Sequence, residues 1–126
     1  MLASSPVAVT LPAVDIDRAK KFYTEVLGLK LIDIEEYQGY AMFEAGKGTQ
    51  IVFYEREGTK AEHTAATFAV EDIEAVVDGL TRKGVVFEQY DMDEIKTDGR
   101  GIATIGTAKS AWFIDAEGNI IAVMSM

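Results

Sequence analysis

Thr10-Leu11-Pro12-Ala13-Val14-Asp15-Ile16 is followed, 57 positions later, by Thr67-Phe68-Ala69-Val70-Glu71-Asp72-Ile73. In each copy an extended run leads into an aspartate placed to cap a helix. The likeness continues outward. Ala41-Met42-Phe43 is matched by Ala111-Trp112-Phe113, and Gly48-Thr49-Gln50-Ile51 by Gly118-Asn119-Ile120-Ile121, now 70 positions apart. A repeat of this length makes each half one supersecondary unit that needs the other to bury its apolar face.

The pattern around each copy predicts the same order of elements. Residues 6–12 read as a strand, with Pro12 near its end because proline lacks a ladder donor. Asp15 caps a helix whose Ile16, Ala19, Phe22, Tyr23, Val26 and Leu27 follow helical spacing, and Gly28 ends it. Strands follow over Leu29–Glu36, Tyr40–Ala45 and Gln50–Glu55, with turns at Gln38-Gly39 and Gly46-Lys47-Gly48. Glu57–His63 is a polar connector too short to separate two domains. The second half then gives a strand over Ala65–Val70 and a helix capped by Asp72 with an Ile73, Val76, Val77 and Leu80 stripe, closed by Gly84. Strands follow over Val85–Asp91, Ser110–Asp115 and Asn119–Met124. The growth of the offset marks extra material between Met92 and Lys109, where Ile102–Ile105 reads as a short strand. Gly99, Gly101 and Gly106 would let that segment move, as a lid, a dimer contact or a plain surface loop.

The expected fold class is therefore α+β: two tandem βαβββ modules, about 6–57 and 64–126, forming curved mixed sheets around a cleft with helices outside. At 126 residues the whole chain reads as a single domain. There are no cysteines, which excludes disulfides and thiolate metal sites and suits a cytoplasmic location. The N-terminus lacks a signal-peptide pattern, and no apolar run reaches membrane-spanning length. Net charge is −9, from 21 acidic against 12 basic residues. Binding to nucleic acid through phosphates needs the opposite balance. The acids bunch at Asp33, Glu35 and Glu36 and at Glu88, Asp91, Asp93 and Glu94, either as solvated surface or as attraction for a cationic ligand.

Two motifs carry a family resemblance. Val14-Asp15-Ile16-Asp17-Arg18-Ala19-Lys20-Lys21-Phe22-Tyr23, with Leu27-Gly28-Leu29, resembles the opening of a vicinal oxygen chelate module. Trp112-Phe113-Ile114-Asp115-Ala116-Glu117-Gly118-Asn119 resembles its closing hairpin. That superfamily includes glyoxalase I, extradiol dioxygenases, fosfomycin-resistance transferases, methylmalonyl-CoA epimerase and the bleomycin-resistance proteins. Its enzymes hold a divalent metal with His, Glu or Gln from the first and last strands of the modules, because a Lewis acid needs lone pairs to hold it.

Carried over residue by residue, those positions fall on Ala8, Val52, Ala65 and Ala122, none of which has a donor atom. A slip of one residue brings in Val7 or Val9, Thr64 or Ala66, Ile51 or Phe53, and Ile121 or Val123, which form no metal site either. Neither a metal nor any other cofactor is therefore expected, and no residue is assigned a catalytic role.

The remaining candidates sit around the vacated positions. Thr10 and Thr67 follow Ala8 and Ala65 by two and share their face; they are ligand hydroxyls or simply good strand residues. Gln50 and Tyr54 flank Val52, and an amide in an apolar cleft wants a partner. Trp112 can stack on a planar ligand or pack in the core, and Met42, its repeat mate, adapts to a guest or merely fills space. His63, the only histidine, is a rim residue or a base.

The resemblance thus points to the bleomycin-resistance branch: a metal-free homodimer that sequesters an antibiotic or other toxic small molecule, cationic if the acidic clusters attract it. The candidate ligand contacts are Ala8, Thr10, Met42, Gln50, Val52, Tyr54, His63, Ala65, Thr67, Trp112 and Ala122. The alternatives are a glyoxalase-like lyase, isomerase or dioxygenase, a metal-independent isomerase using His63, and a purely structural role.

Overall fold

The computed structural model describes residues 1–32, 39–58 and 61–126. Strand β1 (Ala8–Ala13) leads into helix α1 (Ile16–Lys21), and then come β2 (Lys30–Ile32), β3 (Tyr40–Glu44) and β4 (Gln50–Glu55). The order returns as β5 (Thr64–Ala69), α2 (Ile73–Arg82), β6 (Ala103–Ile105), β7 (Ala108–Ile114) and β8 (Ile120–Ser125). Two four-stranded mixed sheets result, ordered β1-β4-β3-β2 and β5-β8-β7-β6. In each, the first and last strands of the module run parallel and the other pairs antiparallel. The α+β class and the duplicated topology are as the repeat predicts. One compact unit comprises residues 1–60 with 116–118, the other residues 61–115 with 119–126.

The caps form as the sequence indicates. Asp15 Oδ1 accepts from the backbone N–H of Asp17 and Arg18, and Asp72 Oδ1 from that of Ala75, each at 3.1 Å. After Lys21 the first helix widens into a π-helical turn over Phe22–Val26, where Leu27 N–H reaches back to the Phe22 carbonyl at 3.1 Å. Gly28 then takes a φ of +77°, which lets the chain turn into β2.

Alternation along each strand decides what faces the helix. In the first unit Leu11, Ala13, Ala41, Phe43, Ile51 and Phe53 are buried with Ile16, Ala19 and Tyr23 of the helix. In the second, Ala111, Phe113, Ile121 and Val123 are buried with Ile73 and Val77. Apolar burial of this kind is the main favourable term in folding each module.

Within the expected strand Leu29–Glu36, Lys30–Ile32 forms β2; residues 33–36 lie outside the described residues, as do Gln38 of the expected turn and Thr59 and Lys60 of the connector. Two differences from the sequence reading have local causes. Val85–Asp91 is not a continuous strand. It meets β7 through a single bridge, Phe87 to Phe113, and a bond from Glu88 N–H to the Trp112 carbonyl at 2.8 Å. The rest of that edge is taken, because β6 pairs with Ala108, Lys109 and Ser110. The two segments share one edge of β7, so neither runs its full length. The second difference is at β5, where the register shifts between Thr64 and Ala66. Ala65 sits at this irregularity, so the strict alternation expected to align His63 with Ala65 is interrupted there.

The inserted segment is knit to its surroundings. Asp98 Oδ1 accepts from the N–H of Arg100 and of Ile102, Asp98 N–H donates to the Ile102 carbonyl, and Ile102 and Ala103 are buried. These backbone bonds hold the Asp98 carboxyl below the usual carboxylate range.

Glu117, in the turn between β7 and β8, belongs to the first unit. Its buried carboxylate accepts from the Asp15 N–H at 2.8 Å and from Arg18 Nε and Nη2 at 2.7 and 3.1 Å. The hydrogen bond and the charge of Glu117 raise the Arg18 guanidinium above its already high ordinary value. Glu117→Ala is expected to cost about 2 kcal/mol, chiefly by leaving the part-buried Asp15 N–H without its acceptor. Urea unfolding measures this as a lower midpoint at unchanged slope; an unchanged midpoint shows that the contact adds nothing. Glu117→Gln, which keeps an acceptor, is expected to lose less.

Candidate functional site

Each sheet gives one face to its own helix and turns the other away. On the first sheet that second face is laid out in rows. Thr10 pairs with Val52, Val52 with Met42, and Met42 with Ile32. One step along, Ala8 pairs with Gln50, Gln50 with Glu44, and Glu44 with Lys30. One step the other way, Pro12 pairs with Tyr54 and Tyr54 with Tyr40, and Arg56 Nη1 reaches the Tyr54 hydroxyl at 3.5 Å. Six of the sequence candidates (Ala8, Thr10, Met42, Gln50, Val52 and Tyr54) thus share one face.

The second sheet repeats the central row. Thr67 pairs with Ala122 and Ala122 with Trp112. These are the repeat mates of Thr10, Val52 and Met42, so the two threonines stand in equivalent registers. Ala122 is buried, while Trp112 is half-buried between buried Ala111 and Phe113. Ile120 and Met124 flank Ala122 on its own face. Ala65 lies at the register shift at the start of β5. His63 precedes that strand, is exposed, and takes no part in the ladder.

An aromatic neighbour of Trp112 was not among the sequence candidates. Tyr90 stands edge-to-face with Trp112, ring centroids 5.5 Å apart and planes at 77°. Its signal was present: in Val85–Asp91, Glu88 and Tyr90 alternate with Phe87, so they fall on the side away from the helix. Burial, helped by the charge of Glu88, pushes the Tyr90 phenol up, so it stays neutral at physiological pH.

The central rows of these faces are apolar, aromatic and hydroxyl-bearing, and on the first sheet the row of Ala8 adds the Gln50 amide and the charged Glu44 and Lys30. Ala8, Val52, Ala65 and Ala122 offer no lone pair, and among the described residues no three His, Cys, Asp or Glu side chains gather as a metal would require. The donor set does not fit a divalent ion at the family's positions. What the faces can do is cover an organic molecule, with threonine hydroxyls and the Gln50 amide able to orient it. No helix among the described residues is long and apolar enough to cross a membrane.

Solved structures share this architecture. TnmS3, an antibiotic binding protein from Streptomyces sp. CB03234, is 19% identical, with 99% of this chain and 98% of that chain covered and a TM-score of 0.70. A glyoxalase/bleomycin resistance protein from the same Streptomyces is 20% identical, covering 94% and 98% with a TM-score of 0.69. The genomically encoded fosfomycin resistance protein FosX from Listeria monocytogenes is 13% identical, covering 98% and 91% with a TM-score of 0.70. At such identities the likeness is one of fold. No curated protein matches in sequence. The family profile described as Glyoxalase/Bleomycin resistance protein/Dioxygenase superfamily matches residues 6–123. With that match and the βαβββ unit present twice, the chain belongs to the glyoxalase/bleomycin resistance protein/dioxygenase superfamily.

Proposed function

We propose that this protein binds an organic small molecule, without a divalent metal at the family's positions, and withholds it by sequestration instead of transforming it. One observation carries this reading. The strand positions where a metal-dependent relative needs donors are occupied by alanine and valine, and the central rows, Thr10-Val52-Met42 and Thr67-Ala122-Trp112, are apolar, aromatic and hydroxyl-bearing. A face of this kind gains by covering hydrocarbon and aromatic surface. The likeness in fold to an antibiotic binding protein and to resistance proteins supports an antibiotic or another toxic compound as the guest. The excess of acidic residues favours a cationic one. The reading includes a single domain, a cytoplasmic setting and a homodimer, for which light scattering is expected to give about twice the 13.8 kDa chain mass.

Trp112 is the only tryptophan, so intrinsic fluorescence reports on the second sheet directly. Titration with bleomycin-type glycopeptides and a panel of aromatic cationic antibiotics is expected to change that emission saturably for at least one compound. The same compound should raise the unfolding temperature, since ligand at about a hundred times Kd adds about 2.7 kcal/mol to stability. Silence across the panel in both measurements overturns the reading. So does a stoichiometric divalent ion in untagged protein, which would instead favour a glyoxalase-like enzyme.

A further inference from the structure

Tyr90 is held beside Trp112 from two sides, by the Glu88 N–H bond to the Trp112 carbonyl and by the inserted segment. Thr97 Oγ1 accepts from the Tyr90 N–H at 2.9 Å, and its hydroxyl donates to the Tyr90 carbonyl at 3.2 Å or to Gln89 Oε1 at 3.1 Å. Thr97 N–H donates to the same Tyr90 carbonyl at 2.9 Å. Thr97 is in turn bridged to Ala103 of β6, so the brace is anchored in the sheet. Both rings are half-buried and keep surface for a guest.

Two rings at 77° make a corner. A flat guest laid against one ring meets the other with its edge, and both arrangements suit the ring quadrupoles. A puckered aliphatic guest of similar area gains its apolar burial but neither ring arrangement. We propose that Tyr90 is a specificity-determining residue that makes this face select flat aromatic guests. Thr97 is the positioning residue that keeps the corner at its angle. The inference rests on the small-molecule reading above and adds the class of guest and the role of the insertion.

The test compares two monocationic amines, flat 9-aminoacridine and puckered cyclododecylamine, by calorimetry on the full-length protein. The flat amine is expected to bind about tenfold more tightly, near the upper end of what a ring contact contributes. Tyr90→Leu is expected to erase that preference and Tyr90→Phe to keep it. Thr97→Val is expected to reduce it severalfold and Thr97→Ser to restore it, a rescue of the ratio that a general loss of stability would not give. Circular dichroism of each variant reports folding, and if Tyr90→Leu does not fold, the Thr97 pair decides. Equal binding of the two amines by the unmodified protein, or a preference unchanged in the Tyr90 and Thr97 variants, overturns this inference alone. Binding of neither amine overturns it too, and with silence toward the antibiotic panel it removes the underlying reading as well.

Discussion

Gly101→Ala is expected to destabilise the protein by about 3 kcal/mol, combining backbone strain with overpacking. Gly101 has a φ of +91°, a conformation that L side chains rarely adopt. A Cβ built there would lie 2.8 Å from Phe87 Cβ and 3.1 Å from the Glu88 carbonyl oxygen. Neither neighbour is a mobile side-chain tip: one is the first carbon of a buried phenylalanine, the other is backbone. Moving them disturbs the Phe87–Phe113 contact, whose centroids are 5.6 Å apart, and the Glu88 bond to β7. Gly101, one of three glycines that from sequence would let the segment move, meets a packing requirement here. Gly99→Ala is the control, since nothing lies within 4 Å of its Cβ position and its φ is not positive; its effect is expected within about 0.5 kcal/mol. Urea unfolding of the two variants measures the contrast, and equal midpoints would show that the close approach does not exist.

Phe53→Ala is expected to cost more, about 4 kcal/mol, in the range for removing a fully buried aromatic. Phe53 has no exposed surface and forms a trio with Tyr23 and Phe43, centroids 4.7 and 5.9 Å away. Tyr23 and Phe43, also fully buried, lie 5.5 Å apart. Deleting the Phe53 ring leaves a cavity walled by Tyr23 of the helical turn and Phe43 of β3, and β3 and β4 are each held by ladder bonds on both sides, so the site resists collapse. Phe53→Leu, which keeps much of the volume, is expected to lose less than half as much. Coincident unfolding curves from fluorescence and circular dichroism are needed to convert midpoints to energies. A Phe53→Ala midpoint near that of the unmodified protein would contradict the packing described.

Much of the fold was legible because it is written in local chemistry. Asp15 and Asp72 cap helices through bonds to residues two or three positions on, and Gly28 turns the chain at a helix end. Strand alternation put Thr10 on the face of Ala8, and Gln50 and Tyr54 on that of Val52; that Met42 shares a row with Val52, and Trp112 with Ala122, came from the strand pairing. The parts that were not legible depend on distant partners. Glu117 meets Arg18 across 99 residues, and nothing near either position announces the other. Val85–Asp91 has the composition of a strand, but β6 occupies part of the edge it would use. Tyr90 is held beside Trp112 by the Glu88 bond to the Trp112 carbonyl and by Thr97, seven residues on, which folds back onto the Tyr90 backbone.

The amino-acid order alone determined the duplication, the two caps and the apolar faces, since each follows from periodicity or side-chain identity read along the chain; that the family's metal-donor positions hold hydrocarbon here is what the resemblance implies. Only tertiary structure decided how β7's edge is shared, why Gly101 must lack a side chain, and which ring stands against Trp112. Those outcomes depend on excluded volume and on backbone bonds between segments far apart in the chain, and no stretch of sequence contains both halves of such a contact.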